Sequence, residues 1–351
     1  MSGVERMAAA ARRQAVDATP VWFMRQAGRY LPEYRKLRQK HSILTIARTP
    51  ELSVEVSLMP VRRLQVDAAV IFADIMLPLD GMGVPFYIEP DIGPIIPDPI
   101  RTQAQVEAIR VVSAEDATPY VFETIRILRA ELGDSTAVIG FSGSPFTLAC
   151  YMIEGRPSRD YAQAKALMFS HPHRWHLFME KITEVVVRYL QGQVKAGIHV
   201  AQLFDSWVGA LSPRHYERFV LPYSQRIFEE MRSLGIPTIH FGTGAASLLE
   251  LMAAAGSDLM GVDWRVPLDQ AWARIGYDRG IQGNLDPTVM LAPFEVIREN
   301  ALAILGQTGG RPGHIFNLGH GVLPGTDPDD LARLVELVHA ETMFPERQRV
   351  S

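Results

Sequence analysis

The sequence predicts a single α/β domain built as a closed (β/α)8 barrel of the TIM type. Three observations lead to this fold class. Short β-rich runs alternate with helical patterns, eight such units follow one another along the chain, and no dinucleotide-binding fingerprint follows the first strand. Strands that alternate with helices pair in parallel, because each parallel connection needs a crossover. Eight units therefore favour a closed barrel over an open doubly wound sheet.

The eight predicted strands are short runs bounded by glycine or polar residues. They cover residues 21–24, 68–72, 137–141, 199–204, 238–241, 259–262, 280–283 and 314–317. The helical patterns cover residues 50–63, 117–132, 159–196 with a break near Pro172, 213–234, 247–254, 268–275, 293–305 and 327–342. Ser212 and Asp327 each precede a proline and are expected to cap the helix that follows.

The predicted domain division places residues 21–345 in the barrel and residues 1–20 in an N-terminal arm that is frayed or lies on the surface. Residues 78–99 are rich in proline and glycine. We expect this stretch to form a loop insertion or small hairpin over the carboxyl-terminal face of the barrel.

The composition narrows the class of protein. The chain has 351 residues, of which 47% are hydrophobic and 21% charged, so it can bury a sizeable core. Its net charge of -4 argues against general binding of nucleic acid or an anionic membrane, which needs a broad positive field. Cys150 is the single cysteine, which excludes an internal disulfide and a multi-thiolate metal site. With no apolar run of about 20 residues, we expect a cytoplasmic protein.

Two arginines follow the first predicted strand, at the end where the site of such a barrel forms. Arg25 and Arg29 are four residues apart, with Gly28 between them. If the chain turns back at Gly28, both guanidinium groups converge on the barrel mouth, where each offers paired donors to a carboxylate or phosphate. The alternative is that they form surface ion pairs with Glu33 or Glu51.

Asp74 follows the second predicted strand and interrupts an apolar run, AAVIFADIML. A carboxylate among core residues is costly to desolvate unless donors or a cation face it. Asp74 is therefore a candidate for accepting N–H hydrogen bonds and stabilising positive charge on a substrate, and a structural ion pair is the alternative.

Two histidines have contrasting surroundings. His320 lies in a Gly-His-Gly turn after the eighth predicted strand, where it is either a hydrogen-bonding group of the site or a solvated side chain. His240 lies within a predicted strand, and we expect a core histidine there.

Neither of two common catalytic arrangements is supported by a motif. The chain lacks C-x-x-C and H-E-x-x-H, so no zinc site is expected, and it lacks the G-x-S-x-G motif of many serine hydrolases. A hard-cation site formed by Asp205, Asp263 and Asp286 stays open, although nothing specific supports it.

Five segments resemble the uroporphyrinogen decarboxylase family. These are PVWFMRQAGRYLPEYR at 20–35, FADI at 72–75, GFSGSPFTLACYMIEG at 140–155, FDS at 204–206 and GHGVLPGTDP at 319–328. They occur in order and span nearly the whole chain. The resemblance implies a single-domain (β/α)8 barrel, in agreement with the strand count.

The resemblance also implies a cofactor-free and metal-free lyase that converts the four acetate side chains of uroporphyrinogen III to methyl groups, giving coproporphyrinogen III. A homodimer is common in the family. The matching catalytic positions are Asp74, Arg25 and Arg29. The matching substrate-binding positions are Arg25, Gln26, Ala27, Gly28, Arg29, Asp74, Tyr151, Phe204, Ser206 and His320.

Two alternatives remain at this level. A corrinoid- or cobalamin-related methyltransferase on the same barrel would hold zinc through His and Cys, which a single cysteine serves poorly. A non-catalytic tetrapyrrole-binding module would bind the same ligand without releasing carbon dioxide.

Overall fold

A computed structural model describes residues 1–90 and 92–343 and shows a ring of parallel strands surrounded by helices. The strands are β1 (Ala68–Val70), β2 (Tyr87–Glu89), β3 (Gly93–Ile95), β4 (Ala137–Gly143), β5 (Val200–Asp205), β6 (Thr238–Gly242), β7 (Leu259–Gly261), β8 (Gly280–Leu285) and β9 (His314–Leu318). Within the described residues, seven strands pair in parallel in the order β1-β4-β5-β6-β7-β8-β9, and β2 pairs with β3 in an antiparallel hairpin. The predicted barrel is confirmed.

Residues 20–24 occupy the eighth position of the ring as a bridging segment instead of a regular strand. The Phe316 amide of β9 donates to the Pro20 carbonyl at 2.9 Å, and the Asp67 amide before β1 donates to the Val21 carbonyl at 2.9 Å. The segment therefore joins the last strand to the first. It differs from the predicted strand because side chains take the amides that a ladder would use: Asp67, Gln26 and Asn317 accept from Val21, Phe23 and Met24 respectively.

The helices lie on the outside of the ring, between successive strands, and α1 precedes them. They are α1 (Gly3–Ala11), α2 (Pro32–Arg38), α3 (Ile43–Arg48), α4 (Pro50–Leu64), α5 (Pro78–Met82), α6 (Gln103–Ala108), α7 (Ala114–Ala117), α8 (Pro119–Leu132), α9 (Pro145–Glu154), α10 (Ala162–Ser170), α11 (Pro172–Ala196), α12 (Pro213–Phe219), α13 (Leu221–Ser233), α14 (Leu249–Ala253), α15 (Leu268–Ile275), α16 (Phe294–Gln307) and α17 (Pro328–Thr342). No helix among the described residues has the length and apolar content needed to span a bilayer.

Proline and capping residues explain where several helices begin and end. The predicted break near Pro172 is confirmed, since α11 begins there. The pattern over 213–234 forms two helices instead of one, because Pro222 lacks an amide and its ring clashes with the preceding turn. Ser212 and Asp327 cap α12 and α17 as predicted, each accepting a backbone amide.

The N-terminal segment closes the amino-terminal end of the barrel. Met7 and Ala10 of α1 are buried against side chains of the barrel interior, among them Trp22 and Ile239. This differs from the frayed or surface-lying arm expected for residues 1–20, because the alanine-rich face of α1 is small enough to fit against the strands. The boundary at residue 345 lies outside the described residues, and the domain division stays a prediction.

Asp67 anchors the closure of the ring. Its carboxylate accepts hydrogen bonds from the Val21 amide at 2.7 Å, from Arg6 of α1 at 2.9 Å and from His339 of α17 at 2.8 Å. Burial alone would raise the pKa of this carboxyl, but these donors stabilise the charged form and hold its pKa below the usual range. One side chain thus connects the first segment, the first helix and the last helix.

Replacing this carboxylate tests its role in stability. We expect Asp67→Asn to lower the free energy of unfolding by about 2 kcal/mol, because Arg6 and His339 lose a charged acceptor at a mostly buried position. Denaturant unfolding measures the change. Asp134→Asn is the control, since Asp134 is 89% exposed and its pairing with Arg129 should contribute little. Equal stabilities for the two variants would contradict the anchoring role.

Candidate active site

The loops at the carboxyl ends of the strands bring Asp74, Tyr151 and His320 within electrostatic range of Arg25, and we call the region between these four residues the cleft. The first and last loops of this region are directly joined. The Val322 amide, after β9, donates to the Met24 carbonyl at 2.8 Å. The Arg25 side chain lies on Gly321, where an added Cβ would come within 2.4 Å of its Cδ atom. Closing the ring at residues 20–24 therefore places Arg25 beside the His320 turn.

Arg25 adopts an uncommon backbone conformation, with φ at 58°. Left-handed conformations of non-glycine residues are few and often occur at functional sites. Gly28 makes this loop possible, since a Cβ there would lie 2.7 Å from the Arg25 carbonyl oxygen. The predicted turn at Gly28 thus has a steric basis, and Ala27 and Gly28 both lie half-buried beside Arg25.

Arg25 and Arg29 do not converge to the same degree. The charge of Arg25 acts on three groups: it opposes the rise that burial causes in the pKa of Asp74 and of Tyr151, and it adds to the fall that burial causes in the pKa of His320. Arg25 and Arg29 are both exposed, but the charge of Arg29 opposes the rise that burial causes in the pKa of Tyr34 in α2. The structure thus places Arg25 within the cleft and Arg29 towards α2.

Gln26 lies below the cleft and not in it. Its side chain is 1% exposed, its Oε1 atom accepts from the Phe23 amide, and its Nε2 atom donates to the Ala68 carbonyl at the start of β1. The side chain therefore supports the loop that carries Arg25.

Asp74 follows β1 and is half-buried, so it is neither sealed in the core nor fully in solvent. Its Oδ1 atom accepts from the Met76 amide at 2.9 Å, and no hydrogen bond to Oδ2 is found within residues 1–90 and 92–343. Burial raises the pKa of this carboxyl, while the Met76 amide and the charges of Arg25 and Arg48 oppose the rise. One carboxylate oxygen is held and the other remains available to a ligand.

Tyr151 extends from α9, whose first turn is fixed by Ser144. The Ser144 side chain accepts from the Thr147 amide, and Tyr151 lies two turns further along the helix. Its ring meets Trp207 edge-on with centroids 5.7 Å apart. Burial and the nearby charge of Asp74 raise the pKa of the phenol, so the hydroxyl is protonated and can donate a hydrogen bond.

Phe204 and Ser206 flank Asp205 at the end of β5 and are both half-buried. Phe204 packs edge-on against Phe141, with ring centroids 5.5 Å apart. Asp205 is fully buried, and its Oδ1 atom accepts from the Ser144 hydroxyl at 2.5 Å. These contacts hold the peptide on either side of Asp205 and so orient Phe204 and Ser206.

His240 is a core histidine, as predicted. It is fully buried, and its Nε2 atom lies 3.6 Å from Oδ2 of Asp205. The pair joins the end of β5 to the middle of β6.

His320 is half-buried, and its ring centroid lies 6.5 Å from those of Phe241 and Trp264. Burial and the charges of Arg25 and Arg265 lower its pKa to about 4. The imidazole is therefore neutral near pH 7, where it can both donate and accept a hydrogen bond.

The sequence left open a hard-cation site formed by three acidic residues. In the structure, each of these residues has a hydrogen-bond or ion-pair partner of its own. Asp205 accepts from Ser144, Asp263 pairs with Arg265, and Asp286 accepts from the Thr288 amide. In the part of the chain that the structure describes, no group of three or more His, Cys, Asp or Glu residues is arranged to hold a metal ion.

Residues that the sequence analysis did not single out also reach this region. Trp207 packs on Tyr151, while Trp264 and Arg265 approach His320 from the loop after β7. The segment Asp-Trp-Arg at 263–265 directly after a predicted strand was the available signal.

The cleft thus combines the guanidinium of Arg25, a half-buried carboxylate with one oxygen free of hydrogen bonds from the described residues, a phenol, a hydroxyl, a neutral imidazole and aromatic rings. Such a set can bind a flat, partly apolar ligand with acidic groups at its edge and N–H donors near its centre. The free carboxylate oxygen can also stabilise a cation that develops on that ligand.

Comparison with known proteins gives consistent results. The family model described as Uroporphyrinogen decarboxylase (URO-D) matches residues 3–341. A protein named uroporphyrinogen decarboxylase from Carboxydothermus hydrogenoformans is 54% identical over 330 residues, covering 94% of both chains. Another of the same name, from Sorangium cellulosum, is 50% identical over 336 residues and covers 96% of both chains.

Among solved structures, a methyltransferase from Methanosarcina mazei superposes with a TM-score of 0.81 and 18% sequence identity. The match covers 97% of this chain and 99% of the methyltransferase. At this identity the likeness shows the shared fold.

The depressed pKa of His320 predicts a pH dependence of stability. The unfolded chain binds a proton at this histidine near pH 6.5, whereas the folded chain does so only near pH 4, so stability falls as the pH drops between these values. We expect His320→Gln to reduce the slope of unfolding free energy against pH in this window by up to about one proton. Denaturant unfolding at several pH values measures it. An unchanged slope would show that the imidazole is not desolvated.

Proposed function

The chain belongs to the uroporphyrinogen decarboxylase family, and we propose that it removes carbon dioxide from the four acetate side chains of uroporphyrinogen III. The product is coproporphyrinogen III, an intermediate of porphyrin and haem biosynthesis. The enzyme is a carboxy-lyase, and the proposed chemistry uses only its own side chains and the substrate.

The observation that carries this proposal is the state of Asp74. Its carboxylate is half-buried in the cleft, one oxygen is held by the Met76 amide, and the other is free of hydrogen bonds within the described residues. A porphyrinogen presents four pyrrole N–H groups towards its centre. A carboxylate acceptor beside the aromatic rings of the cleft matches those donors.

The reaction needs an electron sink on the substrate. Protonation of the pyrrole α-carbon, next to the ring carbon that bears the acetate, gives an iminium-like cation conjugated to that carbon. The bond to the carboxylate then breaks, carbon dioxide leaves, and the electron pair passes into the ring. A second proton converts the exocyclic methylene carbon to a methyl group, and loss of the first proton restores the pyrrole. Asp74 stabilises the cation electrostatically, which takes the place of a cofactor sink.

The peripheral carboxylates of the substrate need donors at the edge of the cleft. We assign this role to Arg25 within the cleft and to Arg29 at the α2 side, with Tyr151, Ser206 and His320 adding neutral hydrogen bonds. Phe204 packs against the macrocycle. Gln26, Ala27 and Gly28 hold the arginine loop in place. An arginine is a poor acid, so we propose that an arginine-ordered water or a substrate carboxyl delivers the proton.

We also propose that the enzyme is a cytoplasmic homodimer. The family resemblance supports the dimer, and the single, buried Cys150 suits a reducing compartment. Analytical ultracentrifugation tests the dimer, and fractionation of cells tests the location.

Anaerobic incubation with uroporphyrinogen III, followed by oxidation and chromatography, tests the activity. We expect hepta- to tetracarboxylate products to appear in order, with carbon dioxide released. Binding of porphyrinogen without carbon dioxide would instead indicate a non-catalytic tetrapyrrole-binding module. Stoichiometric zinc in the purified protein, together with methyl transfer, would indicate a methyltransferase.

Removing the charge of Asp74 should act mainly on turnover. We expect Asp74→Asn to lower kcat by about 10² to 10³, because a preorganised charge facing the transition state is lost. The asparagine retains an oxygen for the Met76 amide, so the loop should fold. Asp116→Asn, at an exposed position of α7, is the control and should retain activity. Steady-state decarboxylation measures both, and normal turnover by Asp74→Asn would overturn the mechanism.

The Tyr151 hydroxyl should contribute to binding more than to turnover. We expect Tyr151→Phe to raise KM about tenfold with little change in kcat, since one hydrogen bond to a charged group is lost. Tyr277→Phe removes a hydroxyl from an exposed ring before β8 and serves as the matched control. Wild-type KM in Tyr151→Phe would show that the hydroxyl does not contact substrate.

A further inference from the structure

We propose that Arg265 is a further substrate-binding residue, which donates to a peripheral carboxylate of the tetrapyrrole from the His320 side of the cleft. This inference rests on the proposed function. It assigns the Arg265 guanidinium to the bound ligand and makes Asp263 and Trp264 its positioning residues.

The Arg265 side chain is held in one orientation by its two neighbours in the sequence. Its Nη1 atom lies 2.5 Å from Oδ2 of Asp263. Its guanidinium carbon lies 4.0 Å from the centroid of the Trp264 ring, in cation–π geometry. A long side chain fixed by an ion pair and a stacked ring loses less entropy when it binds a ligand.

Asp263 is itself a rigid support. It is 3% exposed, and its Oδ2 atom accepts from the Gly244 amide at 2.6 Å, in addition to its pairing with Arg265. Its Oδ1 atom accepts from the Arg265 amide at 3.1 Å. The Asn284 side chain, from β8, donates to the Asp263 carbonyl at 2.9 Å. The loops after β6 and β7 and strand β8 therefore fix the base of Arg265.

The same loop places Arg265 next to the cleft. The Trp264 ring meets His320 edge-on with centroids 6.5 Å apart. Gly319 allows this approach, since a Cβ there would lie 2.5 Å from the Trp264 amide nitrogen. The charges of Arg265 and Arg25 both act on His320. Thus two arginines that are far apart in the sequence lie within electrostatic range of one imidazole.

The chemistry of this group suits a carboxylate at the edge of the ligand. The Arg265 side chain is 48% exposed, and Asp263 engages one of its Nη atoms, which leaves other N–H donors for a ligand. The substrate carries eight carboxylates around its edge, more than Arg25 and Arg29 can bind. Because Asp263 neutralises part of the charge, the contribution depends on the planar donor geometry, and lysine should replace arginine poorly.

The test compares Arg265→Met with Arg274→Met under anaerobic steady-state conditions. Methionine keeps an apolar stem to pack on Trp264. Arg274 is a comparably exposed arginine that pairs with Glu250, away from His320, and it provides the matched control. We expect Arg265→Met to raise KM about tenfold with kcat within twofold of wild type, whereas Arg274→Met retains both values. Arg265→Lys should recover only part of the lost affinity.

Several readouts separate this inference from the proposed function. Wild-type enzyme that forms no carbon dioxide would contradict the proposed function, and equilibrium binding of uroporphyrin, followed by fluorescence, would then test Arg265 on its own. If the wild type is active and Arg265→Met has a wild-type KM, the inference is wrong. Denaturant unfolding of each variant shows that a change in KM does not come from loss of the fold. Asp263→Asn should raise KM in the wild type but not further in the Arg265→Met background.

Discussion

The structure depends on closure of the barrel between its last strand and the segment 20–24. This segment makes only a few backbone hydrogen bonds, so Asp67 completes the closure by accepting from Val21, Arg6 and His339. The consequence reaches the other end of the barrel. Once residues 20–24 lie beside β9, the loop that carries Arg25 must meet the loop that carries His320. The geometry of the candidate site therefore depends on Asp67, an ion-paired carboxylate at the opposite end of the strands.

Within the cleft, burial and charge set different protonation states for neighbouring groups. Burial raises the pKa of Asp74, yet Arg25 and the Met76 amide favour its charged form. Burial and two arginines lower the pKa of His320, so the imidazole is neutral. Cationic charge thus remains on the arginines, where carboxylates of a ligand can compensate it, while the free oxygen of Asp74 can accept from N–H groups of a ligand. This separation suits a ligand that is anionic at its edge and becomes cationic at its ring.

Much of the barrel was predictable because its strands and helices have strong local patterns. The strand over 137–141 and the helix over 268–275 depend on residues that are close in sequence, as do the Ser212 and Asp327 caps. The irregular segment 20–24 was predicted as a strand because its apolar pattern does not reveal that side chains accept its amides. In the candidate site, the position of Asp74 after a strand could be predicted from the sequence, but the approach of Arg265 to His320 could not.

The sequence by itself determined the order of eight strand and helix units, and with it the end of the barrel where Arg25, Asp74, Tyr151 and His320 lie. Periodicity and turn residues encode this information locally. Only the tertiary structure decided that Gln26 supports its loop from below, that Arg29 lies apart from Arg25, and that Arg265 approaches His320. These outcomes depend on distances, burial and electrostatic fields between residues far apart in the chain, which exist only after the ring has closed.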